Sequence, residues 1–229
     1  MHNKQFNKRR GNNFFRMCVL LCLFYSNIGS GLANDDSFFL KLVQNANNTA
    51  VEKLLTSRFI DLETRNNKGD TALLIAAKTH QLDMFDLLVR YGENINVIAS
   101  NRRDILNLSV RISNPELAKR ALKAGINTHT FTPTYQGSAL IYASHKGEVA
   151  IVEAIIDAGA PLNRINNLGW TAMLEAVILG DGSQAYVDIV KQLLAAGADK
   201  TIADKDGNTP LDHAHAKGYE EIARVLQAQ

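Results

Sequence analysis

One short pattern returns along this chain at a nearly constant interval, and it excludes most ways the chain could fold. It reads Gly69-Asp70-Thr71-Ala72-Leu73, Gln136-Gly137-Ser138-Ala139-Leu140, Gly169-Trp170-Thr171-Ala172-Met173 and Gly207-Asn208-Thr209-Pro210-Leu211. A worn copy, Arg102-Arg103-Asp104-Ile105-Leu106, lies between the first two. Counted at the last residue of each copy, the steps are 33, 34, 33 and 38. A self-similar period of this length describes an array of small units, each unable to bury its apolar face alone. A second mark keeps the phase. Gly92, Gly125 and Gly159 each follow their copy by 19 residues and Gly197 follows by 24, so the fifth unit carries five extra residues.

Each unit reads as turn, helix, loop, helix. The threonine or serine of the motif is suited to cap a first helix, and Pro210 to open one. First helices are lined with small residues that permit close stacking: Ala72, Ala76 and Ala77; Ala139 and Ala143; Ala172 and Ala176; Ala214 and Ala216. Second helices carry the larger apolar side chains, among them Phe85, Leu88, Val152, Ile155, Val190 and Leu193. The glycine after each second helix fits a C-terminal cap with positive φ. Residues 35–66 form a degenerate first unit, with Phe38, Phe39, Leu42 and Val43 on its first helix, and 207–226 close the array, giving six units. Unit three lacks the opening glycine and threonine, but Asn114-Pro115-Glu116 starts a second helix well. In unit five, residues 180–186 extend the connection between the helices, as a functional loop or as a tolerated surface insertion.

The Thr-Pro/Ala-Leu openings, the alanine-rich first helices and the closing Leu193-Leu194-Ala195-Ala196-Gly197-Ala198-Asp199 resemble the ankyrin-repeat family over roughly residues 35–229. That resemblance implies an all-α solenoid of about six helix-turn-helix units linked by β-hairpin-like turns. It also implies that the hairpin tips and first helices line a concave groove, which in this family commonly binds another protein.

The first 33 residues differ in kind. Lys4, Lys8, Arg9, Arg10 and Arg16 precede an apolar run from Met17 to Tyr25, and small residues stand three and one before Asn34. This reads as a signal peptide over 1–33, leaving 34–229 as the ankyrin-repeat domain. The apolar run is shorter than the roughly 20 residues a membrane-spanning helix needs, and an uncleaved membrane anchor is the alternative. Both cysteines, Cys18 and Cys22, fall inside the signal. Removing its five basic residues leaves 20 basic against 23 acidic residues, a net charge of −3. No dense basic face of the kind a nucleic-acid binder carries is visible. The chain is therefore expected in the periplasm, with secretion or membrane anchoring as alternatives, and as a monomer.

Sites of chemistry are not visible. His213 and His215, two apart on a helix, point to different sides, and His80, His129 and His145 have no partner at metal-ligand spacing. Nucleophile and phosphate-loop signatures are lacking. No catalytic residue, metal or cofactor is expected, and Asn107, although in a glycosylation sequon, sits in a packed helix. Function then resides in the groove. The family's tip and groove positions fall on Lys68, Asp70, Lys78, Asn208 and Lys217 at the ends, and on Arg103, Arg111, Tyr135, His145, Lys146, Leu168, Trp170, Ile178 and Leu179 in the middle. The middle set is aromatic and apolar with basic flanks, and tryptophan, tyrosine and arginine are common interface anchors. Tryptophan after the opening glycine is also frequent in this family, where it packs against the next hairpin. The expected function is non-catalytic binding of a protein partner. By resemblance to small exported ankyrin proteins of Gram-negative bacteria, the expected role is supporting a stress-defence enzyme, with toxin neutralisation or a structural spacer as alternatives.

Overall fold

The computed structural model describes residues 29–57, 59–131 and 136–228. Most of the expected signal peptide and Tyr135 lie outside these residues. Among them the chain forms twelve helices in six antiparallel pairs: α1 (Gly29–Gln44) with α2 (Asn48–Ser57), α3 (Ala72–Lys78) with α4 (Leu82–Arg90), α5 (Ile105–Arg111) with α6 (Pro115–Lys123), α7 (Ala139–Lys146) with α8 (Val149–Asp157), α9 (Ala172–Leu179) with α10 (Gln184–Ala195), and α11 (Pro210–Lys217) with α12 (Glu220–Ala228). The expected cut after Ala33 falls within α1.

The repeated motif builds the same corner five times. The side chains of Thr71, Asp104, Ser138, Thr171 and Thr209 each accept the backbone N–H three residues on, at 2.7 to 3.4 Å, satisfying a donor the helix leaves unpaired. Unit three keeps this cap because an aspartate serves it as well as a threonine does. Ahead of each cap the chain makes a tight turn whose crossing residue is left-handed: Gly69, Gly169 and Gly207, but also Arg102 and Gln136 at φ 61° and 52°. The glycines closing the second helices, Gly92, Gly125, Gly159 and Gly197, all have positive φ.

Packing is strictly local. Each helix touches its own partner and the like helices of the adjoining units, so first helices form one layer and second helices the other. A single apolar core runs through all six units from Phe39 to Leu226. The alanines of the first helices are buried except Ala216. Ala216 is exposed because it lies in the last unit, where no further unit stacks among the described residues. Phe38, at the opposite end, is 53 % exposed for the same reason.

The five extra residues of unit five divide between loop and helix, which corrects the expectation that they only lengthen the loop. The connection runs over 180–183 where unit four uses 147–148, and α10 has 12 residues where α8 has 9. Two tyrosines fasten this insertion to its neighbours. The Tyr186 hydroxyl donates to the His145 carbonyl at 3.0 Å, and that of Tyr219 donates to the Gly180 carbonyl at 2.8 Å.

Candidate functional site

The turn before each first helix carries the groove's edge. Backbone pairing closes it, with Asn66 and Trp170 as examples: Asn66 N–H meets the Asp70 carbonyl at 3.0 Å, and Asn166 N–H meets the Trp170 carbonyl at 3.0 Å. A side-chain brace then fixes it. Asn66, Asn166 and Asp204 each accept two backbone N–H groups from the turn that follows, at 2.8 to 3.0 Å. These hairpin-like turns place Asp70, Arg103, Gly137, Trp170 and Asn208 at one and the same position of successive units.

Gly137 brings no side chain to that position, so a gap stands between Arg103 and Trp170. The gap opens into a cavity of about 390 Å³, within the size range of small-ligand and side-chain pockets. Unit three lends Arg103. Unit four lends Gly137 and, from α7, Ile141, Tyr142 and His145. Unit five lends Asn166, Leu168 and Trp170 from its turn and Glu175 and Leu179 from α9, the last two one helical turn apart on a common face.

Five of the residues expected from sequence meet here: Arg103, His145, Leu168, Trp170 and Leu179. Trp170 is half-buried, and Leu168 and Leu179 are exposed. Arg111 and Lys146, at the C-terminal ends of α5 and α7, are exposed and lie off the cavity wall, as does half-buried Ile178. Sequence reasoning missed Gly137, Ile141, Tyr142, Asn166 and Glu175. A signal for Glu175 existed. It occupies the position in its unit that Ile75 and Leu108 hold in theirs, both 4 % exposed, so an acid stands where the pattern asks for an apolar residue.

Burial governs the charges. Glu175 is 7 % exposed, and desolvation pushes its pKa from the ordinary 4.5 to about 7. One oxygen lies 3.7 Å from His145 Nδ1, and the other has no hydrogen-bonding partner among the described residues. Desolvation, and then the charge of Lys146, hold the His145 pKa below its ordinary value. At pH 7 His145 is therefore largely neutral and Glu175 about half protonated, so the two do not form a strong ion pair. The Arg103 guanidinium lies over the Tyr142 ring, 5.7 Å from its centroid. In unit two, Asp70 and Lys78 form an ion pair at 2.5 Å. The same two positions in unit three are Arg103 and Arg111, and no carboxylate pairs with either among the described residues.

The family model for ankyrin repeats in three copies matches residues 39–132 and again 106–204. The chain belongs to the ankyrin-repeat family. It is 32 % identical over 170 residues to the ankyrin repeat protein YahD of Escherichia coli, a match that covers 74 % of this chain and 84 % of YahD. The crystal structure of an ankyrin repeat domain from Acinetobacter baumannii superposes with a TM-score of 0.77 at 33 % identity, covering 83 % of this chain and 96 % of that one. The phosphocholine transferase AnkX of Legionella pneumophila is 22 % identical over 77 % of this chain, but the match spans only 21 % of AnkX. Ankyrin repeats are in general a scaffold for binding proteins.

Among the described residues no group of three or more histidine, cysteine, aspartate or glutamate side chains is placed to hold a metal ion, and no helix is long and apolar enough to cross a membrane. A tighter acid–histidine pair, Asp204 with His213 at 2.7 Å, belongs to a turn brace: the same aspartate holds the N–H groups of Asp206 and Asn208. His215 instead approaches Gln227 at 3.3 Å. Asn107 is buried in α5.

Proposed function

We propose that this ankyrin array is a non-catalytic binding module that holds a protein partner in its groove over units three to five and works as a monomer in the periplasm. The cavity carries the reading. It combines aromatic and aliphatic walls (Tyr142, Trp170, Leu168, Leu179) with a few polar groups, the composition of an interface anchor site. The N-terminal order of basic residues, apolar run and small residues supports export. The mature domain, net acidic, is not suited to nucleic acid. Among exported ankyrin proteins a stress-defence enzyme is the partner to try first.

The test is affinity capture from periplasmic extract with residues 34–229 and with a Trp170→Ala/Leu179→Ala variant of equal melting temperature. A protein retained by the first and lost by the second supports the groove. A partner held equally by both places the binding surface elsewhere.

A further inference from the structure

We infer that the cavity and its rim receive an acidic segment of a protein partner, seating one large apolar side chain in the cavity and a neighbouring carboxylate on Arg103 and Arg111. This rests on the groove being the binding surface and adds the chemistry of what it binds.

Two observations carry it. The first is the pair of arginines. In unit two the turn position and the helix-end position reach each other, bringing Asp70 and Lys78 to 2.5 Å. In unit three both positions are arginine. Like charges at positions that can meet repel each other, and an anion shared between them turns that repulsion into attraction. Guanidinium groups suit carboxylates because they bind both oxygens. Neither arginine has a carboxylate partner among the described residues, and Lys146, exposed at the end of α7, adds a third cation without one.

The second observation is the cavity itself. Its walls are mostly apolar, and its volume of about 390 Å³ accepts a phenylalanine or leucine side chain. Its one acid, Glu175, is buried against His145 and half-neutralised at pH 7, so the rim's cations set the field an approaching ligand meets. An apolar cavity beside a cationic rim calls for an apolar residue flanked by acids. A nucleic acid fits less well, because the array as a whole carries net negative charge and the cavity offers one side chain's space, not a track of stacking surfaces.

Trp170 is the chain's only tryptophan and lies on the cavity wall, so its fluorescence reports occupation directly. The full mature chain is titrated with four synthetic nonapeptides lacking tryptophan: a central phenylalanine flanked by aspartates, by lysines or by serines, and a central serine flanked by aspartates. A single-stranded oligonucleotide is a fifth probe. The expected result is that the aspartate-flanked phenylalanine peptide shifts the emission and binds at least tenfold tighter than each of the others, less so in high salt. Arg103→Met/Arg111→Met, or Arg111→Gln alone should the double variant not fold, is expected to reduce that preference. Equal or tighter binding of the lysine-flanked peptide would overturn the inference while leaving the groove reading intact. A preference that survives the arginine substitutions, arginine-dependent binding of the oligonucleotide, or no emission change with any peptide would overturn it as well. The groove reading is judged separately, by whether capture from extract depends on Trp170 and Leu179.

Discussion

Replacing Glu175 should make this protein more stable, and by an amount that depends on pH. Its carboxyl titrates near 4.5 in the unfolded chain and at about 7 when folded, because burial disfavours the charged form. Below pH 4.5 both states hold the proton and no linked difference exists. Between 4.5 and 7 the unfolded chain ionises while the folded one stays protonated, so stability falls as pH rises. Above 7 the loss is complete, roughly 3 kcal/mol at about 1.4 kcal/mol per pKa unit. Glu175→Leu removes the linkage and restores the apolar residue that units two and three have at Ile75 and Leu108. Its gain over wild type should be about 2.5 kcal/mol larger at pH 8 than at pH 5. For a domain of this size that corresponds to a Tm difference of roughly 5–10 °C. Glu175→Gln, which keeps the shape, should show the same pH trend. Glu93, also buried with its pKa at about 7, is present in every variant and cancels in the comparison. Urea denaturation of the three proteins at pH 5 and pH 8 is the assay. A gain independent of pH, or larger at pH 5, would refute the argument that burial of an ionisable group controls this site.

Three further substitutions probe the scaffold. Leu193→Ala empties a fully buried position in α10 and should cost about 2–5 kcal/mol in denaturant titration. Gly180→Ala should destabilise by at least about 2 kcal/mol and raise amide exchange over 180–183, since its Cβ would lie 2.2 Å from the Ala176 carbonyl and 2.6 Å from the Tyr186 ring. Arg102→Gly should stabilise by roughly 1 kcal/mol in thermal melts, because a left-handed arginine stands where Gly69, Gly169 and Gly207 stand in other units.

The architecture was legible because capping and stacking are local requirements repeated in phase. Thr71, Ser138, Thr171 and Thr209 announce their helices, and Asp104 does so once the register is known. Arg102 and Gln136 concealed their turns, since the left-handed conformation is imposed there by the surrounding array and not by residue type. The insertion was misjudged because Gln184, Ala185 and Tyr186 continue the helix that follows, and only the distribution of hydrogen bonds separates loop from first turn. The groove's edge could be listed from the repeat register, but the cavity could not. It depends on three units stacking so that the missing side chain of Gly137 falls between Arg103 and Trp170, a relation no single unit contains.

Site-directed photocrosslinking in intact cells tests the central claim most directly. A benzoylphenylalanine is placed at Leu179, 43 % exposed at the cavity wall, and in a second strain at Glu153, exposed on α8 in the other helical layer. Illumination followed by isolation of the crosslinked products should yield one discrete protein adduct from position 179 and none from 153. Adducts from 153 alone, the same adducts from both positions, or none from 179 would contradict a groove-borne binding function.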